Sequence, residues 1–162
     1  MILWFTGQPG SGKTTLADEI QKRPVYLNTF GDKSYENKVF HIDGDDLRYS
    51  TNNKDYSEKG RRENVKLVMD MARLLDDKGY LVIVSMVSPY RDQREELKME
   101  RNIAEFYCHT TDIRGKEDYF VEDYEPPLHN FVDIDTTNKE IKESVYEVLV
   151  VYRKMADVAR RS

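Results

Sequence analysis

Cys108 is the only cysteine in this chain of 162 residues. A single thiol excludes an internal disulfide and a cysteine-rich metal site, and it suits a reducing compartment. The three histidines, His41, His109 and His129, lie far apart and show no ligand spacing with Cys108 or with one another, so they read as structural. No apolar run approaches the length of a membrane span, and strand-like residues begin at Ile2, which leaves no room for a secretory leader. The expected location is the cytoplasm. Basic residues are also in short supply, 25 against 30 acidic for a net charge of −5. The expected partners therefore include neither nucleic acid nor a membrane, and any anion site must be local. Repeats and linkers are missing too, so one domain over 1–162 is expected, long enough to bury a real core.

What is present starts at once. Ile2 to Leu16 reads as strand, loop and helix, and Gly7, Gly12, Lys13 and Thr14 match G-x-x-x-x-G-K-[ST] in the required context. Glycines let successive backbone N–H groups turn inward around phosphate oxygens. The following helix aims its positive dipole end at the same point, Lys13 adds a full charge, and Thr14 offers a hydroxyl to Mg²⁺. The phosphate-binding set is Gly10, Ser11, Gly12, Lys13, Thr14 and Thr15.

Periodicity carries the reading onward. A helix is expected over Lys13 to Arg23, stopped by Pro24, and an irregular excursion or small hairpin over Val25 to Lys38. Val39 to Asp43 and the nearly continuous apolar run Leu81 to Val87 read as core strands, with further strands over Ala104 to His109 and Phe131 to Asp135. Helices are expected over Arg61 to Asp77 and Asp92 to Arg101. A long terminal helix should open at a Thr137–Glu140 capping box, with Ile141, Val145, Val148, Tyr152, Met155 and Ala159 as its stripe. The alternation implies a three-layer α/β fold with a parallel sheet of about five strands. Residues of about 111–130, polar and aromatic without an apolar period, read as a mobile lid.

Polar residues follow three strand exits, where ligands bind in open parallel sheets. Asp43, Asp45 and Asp46 stand beside the phosphate loop, and Asp43 is the choice for the acceptor hydroxyl and metal, with Asp46 a bystander. Arg48, Arg61, Arg62, Arg91 and Arg94 cluster near strand exits, the expected way to hold an anion in an acidic protein. Tyr119, Phe120 and Tyr124 supply either lid packing or faces for a base.

At this point the residues resemble the adenylylsulfate (APS) kinases, P-loop kinases that phosphorylate the 3′-hydroxyl of adenosine 5′-phosphosulfate. The resemblance rests on the phosphate loop, Asp43-Gly44-Asp45-Asp46-Leu47-Arg48, and Tyr56-Ser57 followed by Arg61 and Asn64. It also uses Ser85 to Arg91 with Arg94, and Tyr124-Glu125-Pro126-Pro127. It implies a P-loop kinase fold, ATP as phosphoryl donor with Mg²⁺, and a place in sulfate assimilation. Catalysis would fall to Lys13 and Asp43, the metal to Thr14 and Asp43. The acceptor would meet Asp45, Arg48, Tyr56, Arg61, Asn64, Ser88, Pro89, Arg91 and Phe120. Nucleotides are the implied small-molecule partners, with room for a homodimer. Tyr56 stands where the family has a base-stacking phenylalanine, and tyrosine keeps the π-face. Ser88 matches a serine sometimes labelled a phosphorylated intermediate, but in-line transfer between two bound nucleotides needs no protein nucleophile, so it reads as substrate-binding.

Two features depart from the family. The excursion is longer, and the lid is shorter, without the Phe-Thr-Gly run or a clear counterpart of the arginine that covers the ATP adenine; Arg114 and Lys116 are the nearest cations. A kinase of another nucleotide-linked anionic acceptor is the alternative, and a non-catalytic nucleotide-binding module ranks last.

Overall fold

A computed structural model describes residues 1–23, 27 and 38–161. The Val25 to Lys38 excursion lies outside the described residues except for Leu27, which is buried in the core, and Lys38. Among the described residues the elements run β1 (Ile2–Thr6), α1 (Lys13–Lys22), β2 (Val39–Asp43), α2 (Gly44–Ser50), α3 (Glu58–Asp77), β3 (Leu81–Ser85), α4 (Arg91–Glu100), β4 (Ile103–His109), β5 (Phe131–Asp135) and α5 (Ile141–Arg161). A 3₁₀ turn, Glu117–Tyr119, interrupts the long connection after β4.

The five strands are all parallel in the order β2-β3-β1-β4-β5. The chain steps to one side of β1 for β2 and β3, then to the other for β4 and β5, so the switch point falls where β1 ends and the phosphate loop begins. Side-chain alternation along the strands divides the core between the two faces. Leu3, Phe5, Ile83 and Phe106 pack with Leu16 and Ile20 of α1 and Val148 and Tyr152 of α5. On the other face Ile2, Trp4, Val82 and Val84 pack with Val68 and Ala72 of α3 and Leu97 of α4.

Several boundaries differ from the sequence reading for local reasons. β3 ends at Ser85, and Met86 and Val87 continue as irregular chain. The acidic stretch after β2 is a short helix because the Asp43 carboxylate caps it, accepting from the N–H groups of Asp45 and Asp46. α3 begins earlier than expected because Ser57 caps it through Gly60 N–H. The Thr137–Glu140 box does not form: Thr137 Oγ1 accepts from Thr111 N–H, and the Glu143 carboxylate accepts from Glu140 N–H. The buried stripe of α5 shifts accordingly, to Ser144, Val145, Val148, Leu149, Tyr152 and Ala156, leaving Ile141 and Ala159 exposed.

Candidate active site

Gly7 begins the phosphate loop in a conformation that favours glycine (φ 141°), and a Cβ there would lie 2.1 Å from the Cys108 carbonyl oxygen of β4. The loop is thus pressed against the sheet. Gly12 closes it in the left-handed region (φ 94°) and starts α1. Lys13 folds back over the loop, donating to Gln8 O at 2.8 Å and to Ser11 Oγ at 3.4 Å. Burial pushes its pKa down from 10.5 to about 8, with Cys108, Asp45 and Asp43 pulling the other way. A buried ammonium resting on neutral oxygens is ready for an anion.

Parallel register sets Asp43 beside Ser85 at the ends of β2 and β3. Asp43 Oδ2 accepts from Ser85 Oγ at 2.7 Å and from Thr14 Oγ1 at 2.8 Å, while Oδ1 accepts from Asp45 N–H at 2.9 Å and Asp46 N–H at 3.2 Å. Burial alone would raise its pKa, but the bonds from Ser85, Thr14 and the backbone outweigh it and hold the carboxyl below its usual value. The group stays ionised at neutral pH. Asp45 and Asp46 are exposed.

A cavity of about 1320 Å³ opens over these groups. Of the expected site residues, Gly10, Lys13, Thr14, Asp43, Asp45, Arg48, Tyr56, Arg61, Asn64, Ser88, Pro89 and Phe120 line it. Ser11, Gly12, Thr15 and Arg91 do not. Tyr49, Lys116 and Tyr119 line it as well, and no residue pattern had marked Tyr49. A smaller recess of about 290 Å³ adjoins it, sharing Tyr56, Arg61 and Phe120.

The arginines divide by role. Arg48 is buried, donates to the carbonyl oxygens of Asn53 and Asp55, and lies 4.5 Å over the Tyr56 ring. One face of Tyr56 is therefore covered and the other is open. Arg61 donates through Nε to Tyr56 O at 2.6 Å and borders the cavity. Arg91 instead donates to Pro126 O at 3.0 and 2.8 Å, so it fastens the end of the lid. Arg62 is paired with Glu58 and Asp92, and Arg94 with buried Glu105, so neither is the free cation expected of an anion holder. Asp92 and Glu105 come from other elements, which spacing along the chain cannot show; only the Glu58–Arg62 pair, four residues apart on α3, follows from it.

Ser88 needs a change of role. Its φ is 38°, and its buried hydroxyl accepts from Trp4 Nε1 at 3.0 Å and donates to Thr6 Oγ1 at 3.1 Å. The hydroxyl faces the sheet, so Ser88 presents the cavity with little more than backbone. The lid is also more tethered than a mobile flap. Gln8 binds Val121 through both amide atoms at 2.9 Å. Arg114 donates to Gly10 O at 3.1 Å, to Thr136 O at 2.9 Å and to Asp112 Oδ2 at 3.0 Å. Arg114, one of the two nearest cations at the start of the lid, thus has its guanidinium engaged by protein oxygens and does not line the cavity.

A family model described as adenylylsulphate kinase matches residues 1–117. The chain belongs to the adenylylsulphate kinase family. Among its relatives, an adenylyl-sulfate kinase of Oceanobacillus iheyensis is 31% identical over 91% of this chain and 81% of that protein. One from Prochlorococcus marinus is 33% identical over 92% and 81%. The structure of the Mycobacterium tuberculosis APS kinase CysC in complex with AMPPNP and APS superposes with a TM-score of 0.76 at 24% identity, covering 93% of this chain and 96% of that one. At that identity the likeness speaks for the fold. A gluconokinase from Sinorhizobium meliloti, at TM-score 0.64 and 17% identity, shares the fold as well. Like its adenylyl-sulfate kinase relatives, the chain is a phosphotransferase acting on a hydroxyl acceptor. Among the described residues, no helix is long and apolar enough to cross a membrane.

Proposed function

We propose that the protein transfers the γ-phosphoryl group of ATP to the 3′-hydroxyl of adenosine 5′-phosphosulfate, as one P-loop kinase domain with a lid over 111–130. The observation that carries this reading is the single cavity joining Lys13 and Thr14 to Asp43 and then to Arg48, Tyr56 and Arg61. The phosphate loop holds the donor, and Lys13 neutralises charge that builds on the transferring oxygens. Asp43 accepts the hydrogen bond of the acceptor hydroxyl and steers its oxygen in line. A bond forms between that oxygen and the γ-phosphorus, the bond to the β–γ bridging oxygen breaks to release ADP, and the hydroxyl proton passes to the Asp43 carboxylate. Arg61, the rim of Arg48 and Asn64 face the anionic end of the acceptor, and the open face of Tyr56 with Phe120 stacks its base. Pro89 and Asp45 shape the wall.

The donor set near the phosphates fits Mg²⁺. Thr14 donates its proton to Asp43, so its oxygen lone pairs remain available, and among the described residues no cluster of three or more His, Cys, Asp or Glu forms a dedicated cage. Thr14 and Asp43 would hold the ion, and it would neutralise charge shared between the β- and γ-phosphates. A nucleotide-consuming reaction of this kind, feeding sulfate assimilation, belongs in the cytoplasm, and a homodimer is compatible with it.

A second reading is favoured by one observation: the family match stops at residue 117, inside the lid. Of the acceptor residues only Phe120 lies beyond that match, in the lid where this chain departs, so another nucleotide-linked anionic acceptor is the alternative. An ATP-consumption assay with a panel of adenylylated and other nucleotide-linked acceptors separates the two. Turnover with adenosine 5′-phosphosulfate alone supports the first; turnover only with a different acceptor overturns it.

A further inference from the structure

Two irregular segments wall the acceptor end of the cavity: Ser88 to Tyr90, after β3, and Phe120 to Pro126, at the end of the lid. Ser88, Pro89, Phe120 and Val121 line the cavity, and Tyr90 and Asp123 line the adjoining recess. The segments are stitched together directly at three points. Glu125 N–H donates to Pro89 O at 2.9 Å, the Tyr90 hydroxyl to Asp123 Oδ2 at 3.0 Å, and Arg91 N–H, at the start of α4, to Glu125 Oε2 at 2.7 Å. Asp123 and Glu125 are exposed, so water competes for the two carboxylate bonds.

Beneath these stitches lies a buried bond set. Arg94 of α4 is 3% exposed and Glu105 of β4 is 1% exposed. The guanidinium uses all three of its nitrogens: Nε donates to Glu105 Oε1 at 2.7 Å, one terminal nitrogen to Ser88 O, and the other to Glu125 O at 2.5 Å. It also lies 5.6 Å over the ring of Tyr124, whose hydroxyl is 2.9 Å from Thr6 Oγ1 at the end of β1. One buried cation thus fixes both segments to each other and to the sheet. Ser88 has φ 38°, in the left-handed region that serine seldom adopts, and the bond to its carbonyl holds the peptide there.

Stability alone does not account for this arrangement. Desolvation offsets much of the attraction in a buried ion pair, so well-packed apolar side chains of similar volume are often as stable or more so. Apolar side chains could not, however, hold Ser88 O and Glu125 O in fixed places. Neither Arg94 nor Glu105 lines the cavity or the recess.

We propose that Arg94, oriented by Glu105, is a positioning residue for the acceptor: it locks the end of the lid onto the Ser88–Pro89 wall and so sets Phe120 in the cavity with Tyr56. The lid residues next to Phe120 are then held on both sides, by the Gln8–Val121 bonds toward the phosphate loop and by Arg94 toward α4. The kinetic consequence rests on the acceptor reading given above, and the lock itself does not.

The first test needs no substrate. Amide hydrogen exchange in the ligand-free protein is compared between wild type and two variants. Arg94→Met/Glu105→Leu removes both charges together, and Arg94→Lys keeps the charge but gathers its donors on one atom, which cannot span the three acceptors. Both variants should lose protection at Glu125 N–H while the amides of β1 and β4 exchange as in wild type. Wild-type protection of Glu125 in either variant overturns the proposal. So does a rise shared by β1 and β4, which would mark a pair that serves stability alone.

The second test is kinetic, with adenosine 5′-phosphosulfate as acceptor. In both variants kcat/KM for the acceptor should fall by about ten-fold, as misplacement from a distance can cause, with KM for ATP near wild type. Equal losses on the ATP and acceptor sides, or wild-type constants in Arg94→Lys, overturn the proposal. If the wild-type protein does not turn over this acceptor, the acceptor reading fails and the exchange result alone decides the lock.

Discussion

Asp43 and Asp46 are three residues apart and carry the same side chain, yet the fold gives them different work. Asp43 faces Thr14 and Ser85 at the cavity floor, and Asp46 offers only its backbone N–H to Asp43 while its side chain is exposed. Asp43→Asn should lower turnover by about 10²- to 10⁴-fold, the usual range for a group acting on the proton in flight, with little change in ATP binding. Asp46→Asn should stay near wild type in both steady-state constants; equal losses would mean a diffuse acidic turn. Lys13 makes a second residue-scale prediction. With a pKa of about 8 in the nucleotide-free protein, part of the population is neutral near pH 8, and an adjacent phosphate favours the charged form. ATP binding near pH 8 should take up a fraction of a proton. Calorimetry in two buffers of different ionisation enthalpy measures this uptake, and Lys13→Met should remove it.

Among the elements, the lid carries the sharpest expectation. It is pinned at its start by Arg114, in its middle by the Gln8–Val121 pair and at its end by Arg91. A short, tethered lid covers less of a bound nucleotide, and the Arg114 guanidinium, engaged by protein oxygens, gives one base no advantage over another. The kcat/KM values for ATP and GTP should therefore lie within about ten-fold, roughly 1.4 kcal/mol, and Arg114→Ala should lower both alike. A hundred-fold preference for ATP would show that another group reads the adenine. The joint between α4 and β4 is a different kind of element. Glu105 is buried against Arg94 at 2.7 Å and Lys98 at 2.5 Å, and Arg94 also donates to the carbonyl oxygens of Ser88 and Glu125. Glu105→Leu strips Arg94 of its buried carboxylate and leaves Lys98 with Glu95 alone, and should cost about 3–5 kcal/mol, read as a fall in the urea midpoint. A shift under 1 kcal/mol would mean that water reaches the pair.

On the scale of the whole molecule, stability should depend on pH through Lys13. Its folded-state pKa, about 8, lies below the unfolded value of 10.5, so the unfolded chain binds more protons between those limits. The nucleotide-free protein therefore gains stability from this group as pH rises from 8. Cys108, raised by burial from 9 to about 12, acts in the opposite sense above pH 9. Between pH 8 and 9 the urea midpoint of wild type should rise relative to that of Lys13→Met, and a parallel course would refute the buried-ammonium account. The same division between local and distant causes runs through the fold. The phosphate loop, the strands and Asp43 at a strand exit were legible in the sequence, because glycine conformation, dipole direction and apolar period act over a few neighbouring residues. So was the helix α3, expected over Arg61 to Asp77 and found over Glu58–Asp77. The sequence could not show that Arg91 would bind Pro126 O, that Arg94 would meet Glu105, or that Ser88 would turn its hydroxyl to Trp4. Nor could it show that His41, which read as an isolated histidine, would stand between Asp18 and Ser85. Composition and spacing alone determined that a nucleotide phosphate is held and which strand exit faces it. Tertiary structure alone decided which cations remain free, because their partners come from different elements and meet only when the parallel sheet sets its register.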